Sequence, residues 1–170
     1  MTTYIALLRA VNVGGTGKLP MADLKAMCIE LGFANVQTYI ASGNVVFQSK
    51  LIEKKVKAAL EARLEIYAGK AVGVLIRTAA EMADVLANNP FPSAAPNRCV
   101  AIFLDEAPSG KVMEGVMGRN GEEIAVGVRE LYVHYGSGMA DSKLRIPVAK
   151  SGTARNMNTV AKLAAMARVV

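Results

Sequence analysis

The sequence predicts an α+β protein built from two ferredoxin-like, or split βαβ, domains with antiparallel sheets. Over residues 1–78, apolar segments with strand and helix periodicity follow one another in the order βαββαβ. Within this half, Ser42-Gly43-Asn44 is a turn sequence typical of a hairpin, and so short a link cannot join parallel strands. The second half nearly repeats the order, but without a clear fourth strand.

The first domain contains four predicted strands and two predicted helices. The strands are expected at residues 4–13, 36–40, 45–48 and 72–76. The first helix begins near Pro20 and is followed by Gly32, the expected residue after a helix end. Its apolar face consists of Leu24, Met27, Cys28 and Leu31. The second helix covers residues 51–67, and its inward residues are expected to be Ile52, Val56, Ala59, Leu60, Leu64 and Tyr67.

Residues 79–97 are predicted to connect the domains as a helix followed by a proline-rich linker. The second domain, residues 98–170, is expected to be an incomplete version of the first. Its strands are predicted at residues 99–104, 122–128 and 131–135, and its helices at 109–117 and 156–167. Thr153 is the expected N-cap of the last helix.

Composition excludes several classes of protein. Hydrophobic residues make up 52% of the 170 residues, which is too many for a disordered chain. The N-terminus does not resemble a signal peptide, and no apolar run is long enough to span a bilayer, so we expect a cytoplasmic protein without a membrane partner. Cys28 and Cys99 stand alone and are expected to be buried thiols. With one histidine, His134, a metal site is not expected, and we interpret His134 as a partly exposed strand residue.

The glycine-rich segment from Asn12 to Leu19 is not a P-loop. A Walker A motif requires Gly where Asn12 stands and Ser or Thr where Leu19 stands. Two interpretations stay open for the glycines and Lys18: a turn that exposes backbone N–H groups to an anion, or a tight connection that only requires glycine for its conformation. No cofactor is expected, and no nucleophile–base pair identifies a catalytic residue.

Positive charge is concentrated at the two ends of the chain. Residues 142–170 carry +6 and residues 1–20 carry +2, with no acid in either segment, and the stretch between them carries −2. Arg155 lies at the predicted start of the last helix, where a cation is unfavourable for the helix dipole, so a role other than helix stability is indicated. The alternative is a solvated basic face that aids solubility.

Four motifs together resemble a known family: residues 6–15 (ALLRAVNVGG), 20–24 (PMADL), 39–47 (YIASGNVVF) and 152–160 (GTARNMNTV). They are similar to the bacterial domain family of unknown function numbered 1697, DUF1697. That family usually has Gly at the place of Ala10 and often Trp at the place of Met157. The resemblance implies two ferredoxin-like domains but no activity and no catalytic residues.

Three functional hypotheses follow. The first is a binding module whose basic groove holds a phosphorylated small molecule or a nucleic acid. Its candidate ligand-binding residues are Arg9, Asn12, Lys18, Asn44, Arg155 and Asn156. Within it, we expect Arg9 or Lys18 to share one groove with Arg155. The second is an enzyme of unknown reaction, with candidates Asn12, Ser42, Asn44, Lys143, Arg155 and Asn156. The third is a scaffold without a ligand.

Overall fold

The structure, a computed structural model, describes residues 1–12, 18–136 and 139–169. This part of the chain is α+β, with two four-stranded antiparallel sheets and four α-helices. The strands are β1 (Thr2–Leu8), β2 (Ala34–Tyr39), β3 (Asn44–Ser49), β4 (Val74–Thr78), β5 (Cys99–Phe103), β6 (Glu123–Val126), β7 (Glu130–His134) and β8 (Thr153–Asn156). The helices are α1 (Met21–Glu30), α2 (Glu53–Ala68), α3 (Ala79–Ala87) and α4 (Met157–Arg168).

The chain divides into two compact units. The first unit comprises Met1–Met82 with Leu163–Val170, and the second comprises Ala83–Lys162. Both unit boundaries fall within helices, α3 and α4. No helix in the described ranges has the length and apolar character needed to cross a membrane.

In the first unit the strand order is β2-β3-β1-β4, with β1 antiparallel to both β3 and β4. The predicted hairpin is confirmed, because β2 pairs antiparallel with β3 on either side of the turn. One face of the sheet forms a core with α1 and α2, and in it the rings of Phe33 and Phe47 stack with centroids 4.3 Å apart. The predicted helix faces are buried at Leu24, Met27, Cys28, Val56, Leu60 and Leu64. Gly32 follows α1 with a φ of 85°, as expected.

Two predictions for α2 and one for β1 are wrong. Ile52 precedes the helix and is 63% exposed, and Tyr67 in its last turn is 41% exposed. Strand β1 ends at Leu8 and does not reach residue 13, because the backbone turns there: Ala10 and Asn12 have φ values of 52° and 55°. Such left-handed conformations cannot continue a strand. The predicted glycine turn, Gly14 to Gly17, lies outside the described residues.

The second unit has the strand order β6-β7-β5-β8, which repeats the order of the first sheet. The prediction that a clear fourth strand is missing is wrong, because β8 pairs antiparallel with β5. Thr153 is therefore the first residue of β8 and not a helix N-cap. The cap of α4 is Asn156, whose Oδ1 accepts a hydrogen bond from Thr159 N at 3.0 Å.

The prediction of a helix at residues 109–117 is also wrong, because this segment forms a series of turns. Its backbone bonds connect residues three apart, as from Val112 N to Ser109 O at 3.0 Å. Gly115 lies so close to Pro147 that an added Cβ would be 2.8 Å from Pro147 Cγ. Met117 forms an antiparallel bridge with Arg145, which holds the end of the segment in an extended conformation.

The predicted helix after residue 78 is present as α3, and its start has a reciprocal cap. The role of residues 79–97 as a connection between two domains stays a prediction. Thr78 N donates to Glu81 Oε1 at 2.9 Å, and Glu81 N donates to Thr78 Oγ1 at 3.2 Å. Cys28 and Cys99 are buried free thiols, as expected.

Candidate functional site

A basic cleft lies in the first unit, where the end of β1, the end of α2 and the segment before β4 come together. Its volume is about 340 Å³. Three short segments and the end of a helix line it: Arg9, Ala10 and Val11; Lys18 and Leu19; Leu64, Tyr67 and Ala68; and Lys70, Ala71 and Val72. We refer to this cavity as the basic cleft.

Arg9 is fixed at the cleft by its backbone and by close packing of its stem. Its N–H donates to Gly73 O at 2.9 Å, directly beyond the end of β1. A Cβ on Gly73 would lie 2.9 Å from Arg9 Cδ, so the arginine stem lies against the bare backbone there. Because Gly73 has no side chain, there is space for the aliphatic part of the Arg9 side chain.

The side chain of Asn12 links the segment that contains Arg9 to the segment that contains Lys18, and both residues line the basic cleft. Its Oδ1 accepts from Leu19 N at 2.6 Å, and its Nδ2 donates to Leu19 O at 2.9 Å and to Ala41 O at 2.8 Å. One amide thus binds both polar groups of the Leu19 backbone. The arrangement holds Lys18, the neighbour of Leu19, beside the Arg9–Val11 segment.

The end of α2 supplies Tyr67 and leads to Lys70. Tyr67 Oη donates to Asp23 Oδ2 at 2.8 Å, which ties the end of α2 to α1, and this bond raises the pKa of Tyr67 above its ordinary value. Gly69 caps the helix with a φ of 73°, a left-handed conformation that glycine adopts readily. The chain then leaves the helix axis, and Lys70 follows at once as an exposed residue.

The electrostatics of the cleft favour an anion. Three cations, Arg9, Lys18 and Lys70, line it, and no carboxylate occurs among the described lining residues. Leu64 and Leu19 are buried and Val72 is half-buried, so part of the lining is apolar. Positive charge beside an apolar surface suits a small ligand that has a charged group and a less polar body.

Two of the predicted ligand-binding residues, Arg9 and Lys18, thus lie in one cavity. Asn44 is fully buried, and its Nδ2 donates to Tyr39 O and to Ser42 Oγ, both at 2.9 Å. Asn156 caps α4 through its Oδ1. For Asn12, Asn44 and Asn156 the structure shows these structural bonds, and a role in ligand binding stays a prediction.

Arg155 lies on β8, opposite Ala101 of β5, and is 7% exposed. Its guanidinium donates to Thr153 Oγ1 at 2.8 Å and to Ala154 O at 2.9 Å. Burial lowers the pKa of Arg155 to about 10, which leaves it charged at neutral pH. Arg155 belongs to the second unit and Arg9 and Lys18 to the first, so the groove shared by these residues stays a prediction.

Sequence reasoning missed Tyr67, Lys70 and Val72. They lie in the middle of the chain. Because that stretch carries a net negative charge, a charge count does not single out Lys70. The usable signal was local: Gly69 ends an amphipathic helix and is followed directly by Lys70. A left-handed cap that directs a cation away from its helix marks a loop residue able to reach a ligand.

His134 is a partly exposed strand residue, as expected. Its Nδ1 lies 3.2 Å from Glu123 Oε1, and its ring centroid is 5.7 Å from that of Phe91. Within the described ranges, no group of three His, Cys, Asp or Glu residues is arranged to hold a metal ion.

Comparisons with known proteins identify a family and a solved structure with a similar fold. The model of the family "Protein of unknown function (DUF1697)" matches residues 1–132. The structure is similar to that of the conserved bacterial protein SP0830 from Streptococcus pneumoniae, with a TM-score of 0.78 and 23% sequence identity over 98% of each chain. No curated protein matches the sequence. At this identity, the similarity to the solved structure concerns the fold alone.

Proposed function

The chain belongs to the DUF1697 family, and we propose that it is a binding protein for a small phosphorylated molecule held in the basic cleft. The observation that carries the proposal is the grouping of Arg9, Lys18 and Lys70 around one cavity. The cations come from three separate segments of the chain, and only the fold of the first unit brings them together.

The physical chemistry of the cleft supports a phosphate group as the charged part of the ligand. Arginine and lysine donate charge-assisted hydrogen bonds to phosphate oxygens, and these bonds are stronger than bonds between neutral groups. The cavity volume, about 340 Å³, lies within the range of small-molecule sites. The apolar part of the lining, which includes Leu64 and Val72, would contact the remainder of the ligand.

A small ligand fits the cleft better than a nucleic acid does. Recognition of single-stranded RNA depends on aromatic side chains that stack on bases, and this chain has no Trp and only 5% aromatic residues. Tyr67 is the one aromatic residue among the described lining residues, and its hydroxyl is bound to Asp23. Binding of RNA is therefore an outcome to be tested and not the proposal.

We also propose that each unit has a ferredoxin-like fold, because the strand order of each sheet supports this interpretation. Both sheets are antiparallel and place their strands in the order second, third, first and fourth along the chain. This is the order of a split βαβ unit. In the second unit, turns replace the helix between β5 and β6. The predicted cytoplasmic location accompanies this proposal as an expectation.

Isothermal titration calorimetry with the full chain tests the function. The titrants are inorganic phosphate, a pentose phosphate, a nucleoside monophosphate and a short single-stranded RNA. We expect one of the small phosphorylated compounds to bind, and its affinity to fall as salt increases because exposed charges are screened. Substituting Lys70→Ala should weaken binding by about 1 kcal/mol, or about fivefold, the upper range for an exposed ion pair.

A matched control is Lys54→Ala, which removes an exposed lysine of α2 that does not line the cleft. The proposal fails if none of the small compounds binds, or if Lys54→Ala weakens binding as much as Lys70→Ala. Tighter binding of RNA than of every small compound would also overturn it in favour of a nucleic-acid site.

A further inference from the structure

A second cavity lies within the second unit, and no part of the basic cleft contributes to it. Its volume is about 600 Å³. The lining residues come from the turns before β6 and from the segment before β8: Gly115, Met117, Leu144, Arg145, Ile146, Pro147, Ala149 and Lys150. We refer to it as the apolar cavity.

The two walls of the apolar cavity are held together by the backbone. Met117 N donates to Arg145 O at 2.9 Å, and Arg145 N donates to Met117 O at 2.7 Å. Gly115 and Pro147 approach so closely that a Cβ at Gly115 would lie 2.8 Å from Pro147 Cγ. The positions of the lining residues are thus set by main-chain bonds and close packing, so side chains in the cavity can be replaced without removing these bonds.

The lining combines apolar side chains with two exposed cations. Ile146 is buried, and Leu144 and Ala149 pack against the core of the second unit. Met117 is 67% exposed, and its apolar side chain would be covered if a ligand occupied the cavity. Methionine is flexible and polarisable, and it is common at surfaces that bind apolar ligands. Arg145 and Lys150 are both exposed, and no acid occurs among the described residues of the lining.

We propose that the apolar cavity binds a free organic anion with an apolar body, of the class of medium-chain carboxylates. The apolar side chains would contact the body of the ligand, and Arg145 and Lys150 would pair with its charged end. The volume lies within the range of small-molecule sites. This inference is independent of the basic cleft, because all the residues that carry it belong to the second unit.

Two fluorescent probes with the same ring skeleton test both parts of the proposal on the full chain. Anilinonaphthalenesulfonate carries an anionic group, whereas phenylnaphthylamine does not. We expect the anionic probe to bind more tightly than the neutral one. The double variant Arg145→Gln with Lys150→Gln should weaken the anionic probe about tenfold and leave the neutral probe unchanged, since an exposed ion pair contributes a factor of about 1.4 to 5.

Two further variants separate the apolar contribution and the general effect of charge. Met117→Gln, at an exposed position, should weaken both probes. Lys111→Gln removes an exposed cation of the same unit that does not line the cavity, and it should change neither. Far-ultraviolet circular dichroism verifies that each variant is folded.

Competition identifies the class of ligand. Octanoate should displace the anionic probe at a lower concentration than octanol, which has the same chain without the charge. Saturating inorganic phosphate should not displace the probe, and Lys70→Ala should bind it normally, which separates this cavity from the basic cleft. The proposal is overturned if neither probe binds, if Lys111→Gln weakens the anionic probe as much as the double variant does, or if octanol competes as well as octanoate.

Discussion

Substitution of Gly43 by alanine should destabilise the first unit through two separable effects. The first is conformational, since Gly43 has a φ of 90° that an L side chain rarely adopts. The second is steric, since a Cβ there would lie 2.7 Å from Val11 Cγ2 and 2.9 Å from Leu8 Cβ. Both neighbours are buried, and the Gly43 carbonyl is fixed by a bond from Leu8 N at 2.9 Å, so the crowding cannot be relieved by a free rotation.

The magnitude follows from a comparison with Gly69. Gly69 also has a positive φ, 73°, but an added Cβ there has no atom within 4 Å. Gly69→Ala should therefore show the conformational effect alone, about 1 kcal/mol. Gly43→Ala adds the cost of overpacking a buried site, about 1 to 3 kcal/mol, for a total of about 2 to 4 kcal/mol.

Urea unfolding followed by circular dichroism measures both variants, with linear extrapolation to water. The informative quantity is the difference between the two losses of unfolding free energy, because the conformational effect is common to both glycines. A difference of at least about 1 kcal/mol is expected. If the two variants lose the same stability, the close approach of the hairpin turn to Val11 and Leu8 is not a constraint and this reasoning is refuted.

Three further predictions concern the first unit. Leu24→Asp should destabilise by several kcal/mol in a thermal melt because it buries an unpaired charge at a fully buried position; an unchanged melting temperature would show that the phase of α1 is wrong. Ala10→Gly should stabilise by up to about 1 kcal/mol in urea, because glycine relieves the left-handed backbone at φ 52° and retains part of that gain after its own entropy cost. Burial raises the pKa of Cys28 from 9.0 to about 12, so the folded state holds this proton where the unfolded state has lost it, and stability should decrease as pH rises above 9.0. Cys28→Val should decrease less steeply over the same pH range, and parallel curves would contradict this prediction.

The parts of the fold that the sequence predicted correctly are those specified by local chemistry. The face of α1 follows from residue spacing, the hairpin from its turn residues, and the end of α1 from Gly32. Each of these features needs only a few neighbouring residues to be specified. Strand β8 was missed because Thr153–Asn156 is short and polar, with no apolar alternation to mark it. It becomes a strand through its pairing with β5, a contact between distant segments that no local pattern contains.

The candidate site was predicted in part for a similar reason. Arg9 and Lys18 were selected because the N-terminal segment lacks acids, and the structure places both in one cavity. Lys70 joins them only because Gly69 caps α2 and the following segment leads back to β4, beside the end of β1. The net charge of each segment does not predict which segments lie close together in space. Their proximity depends on where the helices end and on the order of the strands in the sheet.

The basic segment at the C-terminal end of the chain can now be divided by environment. Arg155 is buried on a strand, whereas Arg145 and Lys150 are exposed at the rim of the apolar cavity. A buried cation bound to backbone and hydroxyl oxygens acts first on stability, because its removal leaves those acceptors without their donor. Exposed cations contribute little to stability, because water screens their interactions. The excess charge therefore contains at least two kinds of residue, and variants of Arg155 and of Arg145 should differ in unfolding free energy before any ligand is added.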